Sequence, residues 1–459
     1  MISALLYACA FIVPSICHWF VFIYLIPLYY YALTHTHTAV WGYAVQGFWW
    51  GIIFFLFHMY ALIYMLVEQA ALSSAVMVSM LLIGYSAVVS ACWFAASGVV
   101  AACVRSPAGR LSVWVFFTIL FIDFVESFFF KIICLPRGYV FAYPLIPLAQ
   151  HDAWIASLHY FPQRFLVLCL CASSACLAYV LIERKHNRAA VMGAFLFLFP
   201  FVSSGFFERK KIALGCQNLF MYIQPPAYNK DMVEVAPLEL ACKLNEQLSR
   251  AVRLFPHARC FLLPESTFPF PLDLYENIRQ LWSENALFGA QEITVVMGSH
   301  HSYGHERKNT LFSLEGCRII QTYDKNTYLP FAEHMPWPWN KSSFFSEFLL
   351  KNKKVFHKVD SCCKPVKLTS EFVACPYMCS DLFFNYPRID DQVCPIVWLV
   401  NDSWFTCGYY KHLMFLFAKL QATIYNRPIL YIAHEFGVYI DPYAQYWYLP
   451  SVMIPKNVN

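Results

Sequence analysis

The sequence predicts a multi-pass α-helical membrane bundle followed by an α/β layered sandwich, and three observations carry that reading. The 459 residues are 59% hydrophobic and 19% aromatic, with only 13% charged and a mean hydropathy of +0.48, too apolar for a water-soluble chain of this length. The first 104 residues hold one charged side chain, Glu68, and each ionised group at the centre of a lipid-embedded helix costs roughly 2.5 to 3.5 kcal/mol. From about residue 212 the character changes, with Asp, Glu, Lys, Asn and Pro recurring every few positions. A boundary at 211/212 follows, with a membrane domain over 1–211 and a second domain over 212–459.

A helix needs about 20 apolar residues to cross about 30 Å of hydrocarbon. Windows of that kind predict seven spans, near 2–14, 17–33, 40–66, 72–103, 111–134, 164–183 and 190–207. The first two are short. Absence of a basic n-region, with an apolar run that outlasts any signal peptide, leaves the first span as an expected anchor. Basic loops RSPAGR (105–110) and ERKHNR (183–188) fall on one side of the membrane, which the positive-inside rule makes cytoplasmic. Seven crossings then deliver residue 212 and all that follows to the outside. The Pro- and aromatic-rich loop 135–163 faces the same way and suits interfacial segments.

After 212, strands and helices alternate. Strands are expected at 212–217, 260–266, 293–299, 371–378, 395–401 and 428–440, a hairpin at 309–325, and helices near 237–255, 273–288 and 409–425. This alternation with added hairpin strands predicts the layered sandwich.

A net charge of +5 without a basic run interleaved with aromatics excludes a nucleic-acid partner. Eighteen cysteines are spread over both halves, eight of them in apolar spans, so they define no disulfide framework. Cys362 and Cys363 lie in a polar loop and could pair with other cysteines of the outer domain. His35, His37, His300, His301 and His305 read as solvated turns, and no ligand pair at zinc-like spacing accompanies Cys375 and Cys379, so no metal is expected. Asp123 and Glu126, within the fifth span, are expected to face the bundle interior.

Three stretches each place one reactive side chain at an expected strand end: Glu265 in LLPESTFP, Lys325 in YDKNTYLPFAEHMP and Cys379 in PYMCSDLFF. A thiol needs a base to become a thiolate, and its attack on a carbonyl creates an oxyanion that needs a cation. Glu265 suits the first task and Lys325 the second. Cys375, four residues upstream on the same strand, is expected to pack.

These residues resemble the nitrilase superfamily, which uses Glu, Lys and Cys in this chain order. More narrowly, NTLFSLEGCRIIQTYDKNTYLPFAEHMP and VNDSWF (400–405) resemble its membrane branch, apolipoprotein N-acyltransferase, and WFVFIYLIPL (19–28) is similar to that family's second span. The resemblance implies an α-β-β-α sandwich for 212–459. It implies that Glu265 is the general base, Lys325 the oxyanion stabiliser and Cys379 the nucleophile, with Glu333 and Asp381 in support. Ser380 stands where the family usually has Tyr, and HEFGV (434–438) replaces its N-T-G-I stretch. The implied reaction moves an acyl chain from a phospholipid to the N-terminal amine of a diacylated lipoprotein, without a cofactor, by a monomer in the bacterial inner membrane with its catalytic domain in the periplasm. A membrane-tethered amide hydrolase and a catalytically lapsed relative with an assembly role stay open beside it.

Overall fold

The structure is a computed structural model. It describes residues 1–35, 39–58, 60, 63–64, 72–127, 143–183, 187–206, 219–225, 237–283, 293–303, 306–316, 318–328, 333, 364–384, 395–403 and 408–452. The chain divides into two compact units, 1–210 with 405–424, and 211–404 with 425–459.

The first unit is helical. Among the described residues, three helices are long and apolar enough to cross a membrane: Val40–His58, Ser79–Ala102 and Gln163–Glu183. The segments Ile2–Ile12, Phe20–Thr34, Pro107–Ile122 and Asn187–Val202 are apolar but shorter. Two of the expected spans are broken by proline. The first helix stops at Ile12, because Val13 precedes Pro14 and is pushed out of helical geometry. The second is interrupted at Tyr24, three residues before Pro27, whose missing N–H cannot serve the carbonyl of Ile23. Helix Val40–His58 packs tightly on helix Leu72–Ala102. Gly47 and Gly51, four apart, lie where any Cβ would strike the carbonyls of Ser90 and Ser86, the small-residue approach by which helices associate in lipid. Ser86 Oγ donates to Gly51 O at 3.0 Å. The far ends of the expected spans 40–66 and 111–134 lie partly outside the described residues, as do the side chains of Asp123 and Glu126.

The described residues of the second unit form two sheets. Its strands are β1 (Phe220–Ile223), β2 (Cys260–Leu262), β3 (Phe268–Pro271), β4 (Thr294–Tyr303), β5 (Glu306–Glu315), β6 (Arg318–Asp324), β7 (Val366–Lys367), β8 (Val373–Met378), β9 (Ile396–Leu399), β10 (Ile429–Ile432), β11 (Gly437–Ile440), β12 (Tyr446–Tyr448) and β13 (Ser451–Val452). One sheet runs β13-β1-β2-β4-β5-β6, with β3 beside β4; the other runs β12-β11-β10-β9-β8-β7. In each, parallel strands form the middle (β1, β2 and β4; β8, β9 and β10) and antiparallel hairpins the flank.

Alternation along the strands builds two cores. Phe220, Tyr222, Leu262, Val296 and Leu311 of the first sheet meet Met378, Val397, Leu399, Leu430 and Ile432 of the second. Met221, Ile223, Phe261, Val295 and Met297 point the other way, onto Leu240, Leu244, Leu248 and Val252 of helix Pro237–Leu254. Those helix positions recur every four residues, so one apolar stripe faces the sheet. Helix, sheet and sheet thus stack as three layers. Burying a side chain such as Leu or Phe in these cores contributes about 1.5 to 3 kcal/mol.

The expected strand 212–217 lies outside the described residues. The expected strand 428–440 is instead the hairpin β10–β11, because residues 433–436 form a tight turn closed by Ala433 N donating to Phe436 O at 3.0 Å.

Candidate active site

Glu265 follows β2 on a sharp turn. Pro264 O accepts from Gly298 N at 3.2 Å and from Thr267 Oγ1 at 2.7 Å, while Ser266 takes a left-handed φ of 57°. The turn presses onto β4 so closely that a Cβ on Gly298 would sit 2.5 Å from Glu265 Cα. Lys325 stands at the end of β6, its N–H donating to Asn309 O on β5 at 2.8 Å. Cys379 follows β8 with φ 39°. Its backbone is pinned on both sides: N–H donates to Leu399 O at 2.8 Å, and Trp398 Nε1 donates to its carbonyl at 2.9 Å. A non-glycine residue in that conformation costs of order 1 to 3 kcal/mol and persists only where its surroundings dictate it.

The structure brings the predicted residues together. Lys325 Nζ lies 2.9 Å from Glu265 Oε1 and 2.8 Å from Glu333 Oε1, and all three are buried or nearly so. Burial alone would push the lysine pKa down, but the carboxylates of Glu265 and Glu333 outweigh it and hold the ammonium well above its ordinary value. Around Cys379 desolvation drives the thiol pKa well up, the negative charges of Glu265 and Glu333 push the same way, and Lys325 and the Asn401 N–H oppose them. The resting group is therefore a thiol. Asn401 N–H also donates to Glu265 Oε2 at 2.9 Å, so one backbone donor reaches both the carboxylate and the sulfur.

Asp381 opens the short helix Asp381–Phe384 and ties two loops together. Its Oδ1 accepts from Asn326 N at 3.1 Å and Thr327 N at 2.6 Å, directly after the lysine; its Oδ2 accepts from Tyr323 Oη at 3.0 Å and Met378 N at 3.4 Å, directly before the cysteine. Burial pushes its carboxyl up to about 7, against the pull of Lys325 and these donors. Ser380 joins the same seam, its hydroxyl donating to Thr327 O at 2.5 Å.

Sequence reasoning missed several members of this site. Asn309 Nδ2 donates to Glu265 Oε1 at 2.7 Å; its signal is an amide among the buried positions of β5. Gly298 carried one too, as a glycine inside a strand, which marks close backbone approach. Asn401 acts through its backbone and leaves no side-chain trace.

The other candidates stand apart. His301 Nδ1 is 3.6 Å from Asp324 Oδ1 in a cross-strand cluster with Lys308, and His35 stacks on Tyr31 with ring centroids 4.2 Å apart. His37, His305, Cys362 and Cys363 lie outside the described residues. Among the described residues no group of three or more His, Cys, Asp or Glu side chains is arranged to hold a metal.

No family model matches the chain, and no curated protein does. Among solved structures, the chain is similar to glutamine-dependent NAD+ synthetase from Acinetobacter baumannii, at 15% identity and a TM-score of 0.32, over 47% of this chain and 40% of that one. It is similar to the NitFhit protein of C. elegans, at 12% identity and a TM-score of 0.33, over 48% and 55%. A third is XC1258 from Xanthomonas campestris, a CN-hydrolase superfamily protein, at 14% identity and a TM-score of 0.32, over 47% and 80%. The first two are thus matched over little more than half their own length or less.

Proposed function

We propose that this protein is a membrane acyltransferase of the nitrilase type, taking an acyl chain from a phospholipid onto Cys379 and passing it to the N-terminal amine of a diacylglyceryl-cysteine lipoprotein. The observation that carries the chemistry is the Glu265–Lys325–Glu333 ion cluster with Cys379 beside it, joined by the shared Asn401 N–H.

In this reading Glu265 is the base. Its Oε1 already accepts from Lys325 and Asn309, whereas among the described residues Oε2 accepts only the Asn401 N–H. Oε2 takes the thiol proton as the sulfur attacks the ester carbonyl. The ammonium of Lys325 balances the oxyanion. When the tetrahedral adduct collapses, the C–O bond breaks, the lysophospholipid leaves with the proton from Glu265, and a thioester remains. Glu265, ionised again, removes a proton from the acceptor amine; nitrogen attacks, the C–S bond breaks, and the thiolate recovers its proton. Glu333 keeps the lysine charged throughout, and Asp381 sets the lysine loop against the cysteine turn.

The substrates are inferred from the first unit, whose long apolar helices suit a bilayer. We further propose seven crossings, a catalytic unit on the periplasmic side of a bacterial inner membrane, and a monomer that needs no cofactor. Reporter fusions near residues 186 and 350 test the topology: cytoplasmic at the first and periplasmic at the second is expected, and the reverse overturns it.

The deciding experiment incubates purified protein with phospholipid labelled in its acyl chains. A labelled thioester on Cys379 that clears when a diacylated lipopeptide is added supports the proposal. The same site could hydrolyse an amide if water took the place of the amine. Turnover of an amide substrate without any lipid-derived thioester would favour that reading.

A further inference from the structure

Asn309 is fully enclosed on β5, between the two halves of the ion cluster. Its side-chain Nδ2 donates to Glu265 Oε1 at 2.7 Å, and its backbone carbonyl accepts the Lys325 N–H at 2.8 Å. One residue therefore sets the position of the carboxylate and of the ammonium that faces it. Its remaining side-chain oxygen, Oδ1, is buried and accepts no hydrogen bond among the described residues. A buried acceptor left unpaired costs roughly 1 to 3 kcal/mol; an apolar side chain would avoid that cost, so the amide is held here for its donor.

That donor decides which carboxylate oxygen is basic. Lys325 and Asn309 together fill Oε1, and among the described residues Oε2 accepts the Asn401 N–H alone, a donor that also favours the Cys379 thiolate. Without the amide, the carboxylate could turn about its terminal torsion, which is broad and roughly two-fold for Glu, and Oε2 would no longer be fixed toward the thiol.

We propose that Asn309 is a positioning residue for proton transfer, one whose amide occupies Glu265 Oε1 and reserves Oε2 for the Cys379 proton. This rests on the reading of Glu265 as base and Cys379 as nucleophile. It does not depend on which acyl donor or acceptor is used.

The test is alkylation of Cys379 by iodoacetamide in the full-length detergent-solubilised protein, followed peptide by peptide in a mass spectrometer over pH 5 to 10. The charged or titratable groups that bear on the reaction are Glu265, Lys325, Glu333, Asp381 and the thiol itself. Asn309→Ala is expected to slow alkylation at neutral pH by about tenfold or more, since a positioned base supplies on the order of 10² to 10⁴ in rate. Asn309→Asp keeps the shape but adds a third carboxylate around one ammonium, so one proton is retained to higher pH. Its alkylation profile is expected to start at least one pH unit above the wild-type profile. If the alanine variant does not fold, the aspartate variant carries the test alone. Wild-type rates and an unshifted profile in the folded variants would overturn the proposal. Failure of the acyltransferase reading looks different: the Asn309 variants alter alkylation as expected, yet the wild type forms no thioester from phospholipid.

Discussion

Gly298 lies directly against Glu265, so that a Cβ added to it would stand 2.5 Å from Glu265 Cα and 2.8 Å from Ser266 N. Both are backbone atoms in a turn already held at positive φ, so neither can yield cheaply. Gly298→Ala is expected to cost about 1 to 3 kcal/mol by overpacking and to shift the carboxylate off the thiol. Thioester formation from labelled phospholipid should fall by about 10² or more, with the loss in rate exceeding what the fraction unfolded explains. A variant as stable and as active as the wild type would show that the turn can relax.

Cys375 sits in the middle of β8 and Cys379 directly follows that strand, beside the ion cluster. Cys379→Ala is expected to abolish the labelled adduct altogether. Cys375→Ala should retain it, at a cost of about 1 kcal/mol for a part-buried side chain. Intact-protein mass spectrometry after incubation with phospholipid separates the two, and an adduct surviving on the Cys379→Ala protein would place the nucleophile elsewhere.

Much of this arrangement was legible in the sequence, and the parts that were not share a physical cause. Glu265, Lys325 and Cys379 could be read because they stand in the Glu, Lys, Cys order of the family the sequence resembles, each at an expected strand end. The β5–β6 hairpin could be read because period-two alternation and Gly316 mark it. Strands β1, β3, β7, β12 and β13, each two to four residues long, were missed; so short a segment shows no period unless turn signals and a longer apolar run flank it. Asn401 could not be found at all, since its backbone N–H carries the contact and any side chain would supply it. The breaks at Val13 and Tyr24 were foreseeable from Pro14 and Pro27, yet hydropathy windows average over them.

Asp381 makes stability depend on pH in an unusual direction. Its carboxyl is raised to about 7 by burial in the folded protein, whereas in the unfolded chain it returns to roughly 3.9. Between those values the native state holds a proton that the unfolded state has lost. This contribution to stability therefore falls as pH rises from about 4 to 7 and levels off above, by an amount on the order of 4 kcal/mol. The network tolerates both states, because the Tyr323 hydroxyl can donate to the carboxylate or rotate to accept from the acid. Urea unfolding at pH 5 and 8 should show the decline, and Asp381→Asn should remove that part of it. An Asp381→Asn protein with the wild-type pH slope would assign the effect to other groups.

Lys325 separates stability from catalysis. Its ammonium pairs with Glu265, 2% exposed, and with Glu333, 11% exposed. Lys325→Met removes the cation and leaves two carboxylates facing each other in a dry site, which should cost about 3 to 5 kcal/mol. It also removes the oxyanion partner, for a further loss of about 10² to 10³ in rate. Adding Glu265→Gln relieves the repulsion, so the double variant should regain much of the stability while remaining inactive. Denaturant midpoints report the first effect and thioester formation the second. Recovery of activity together with stability would overturn both roles, Glu265 as the base and Lys325 as the oxyanion partner.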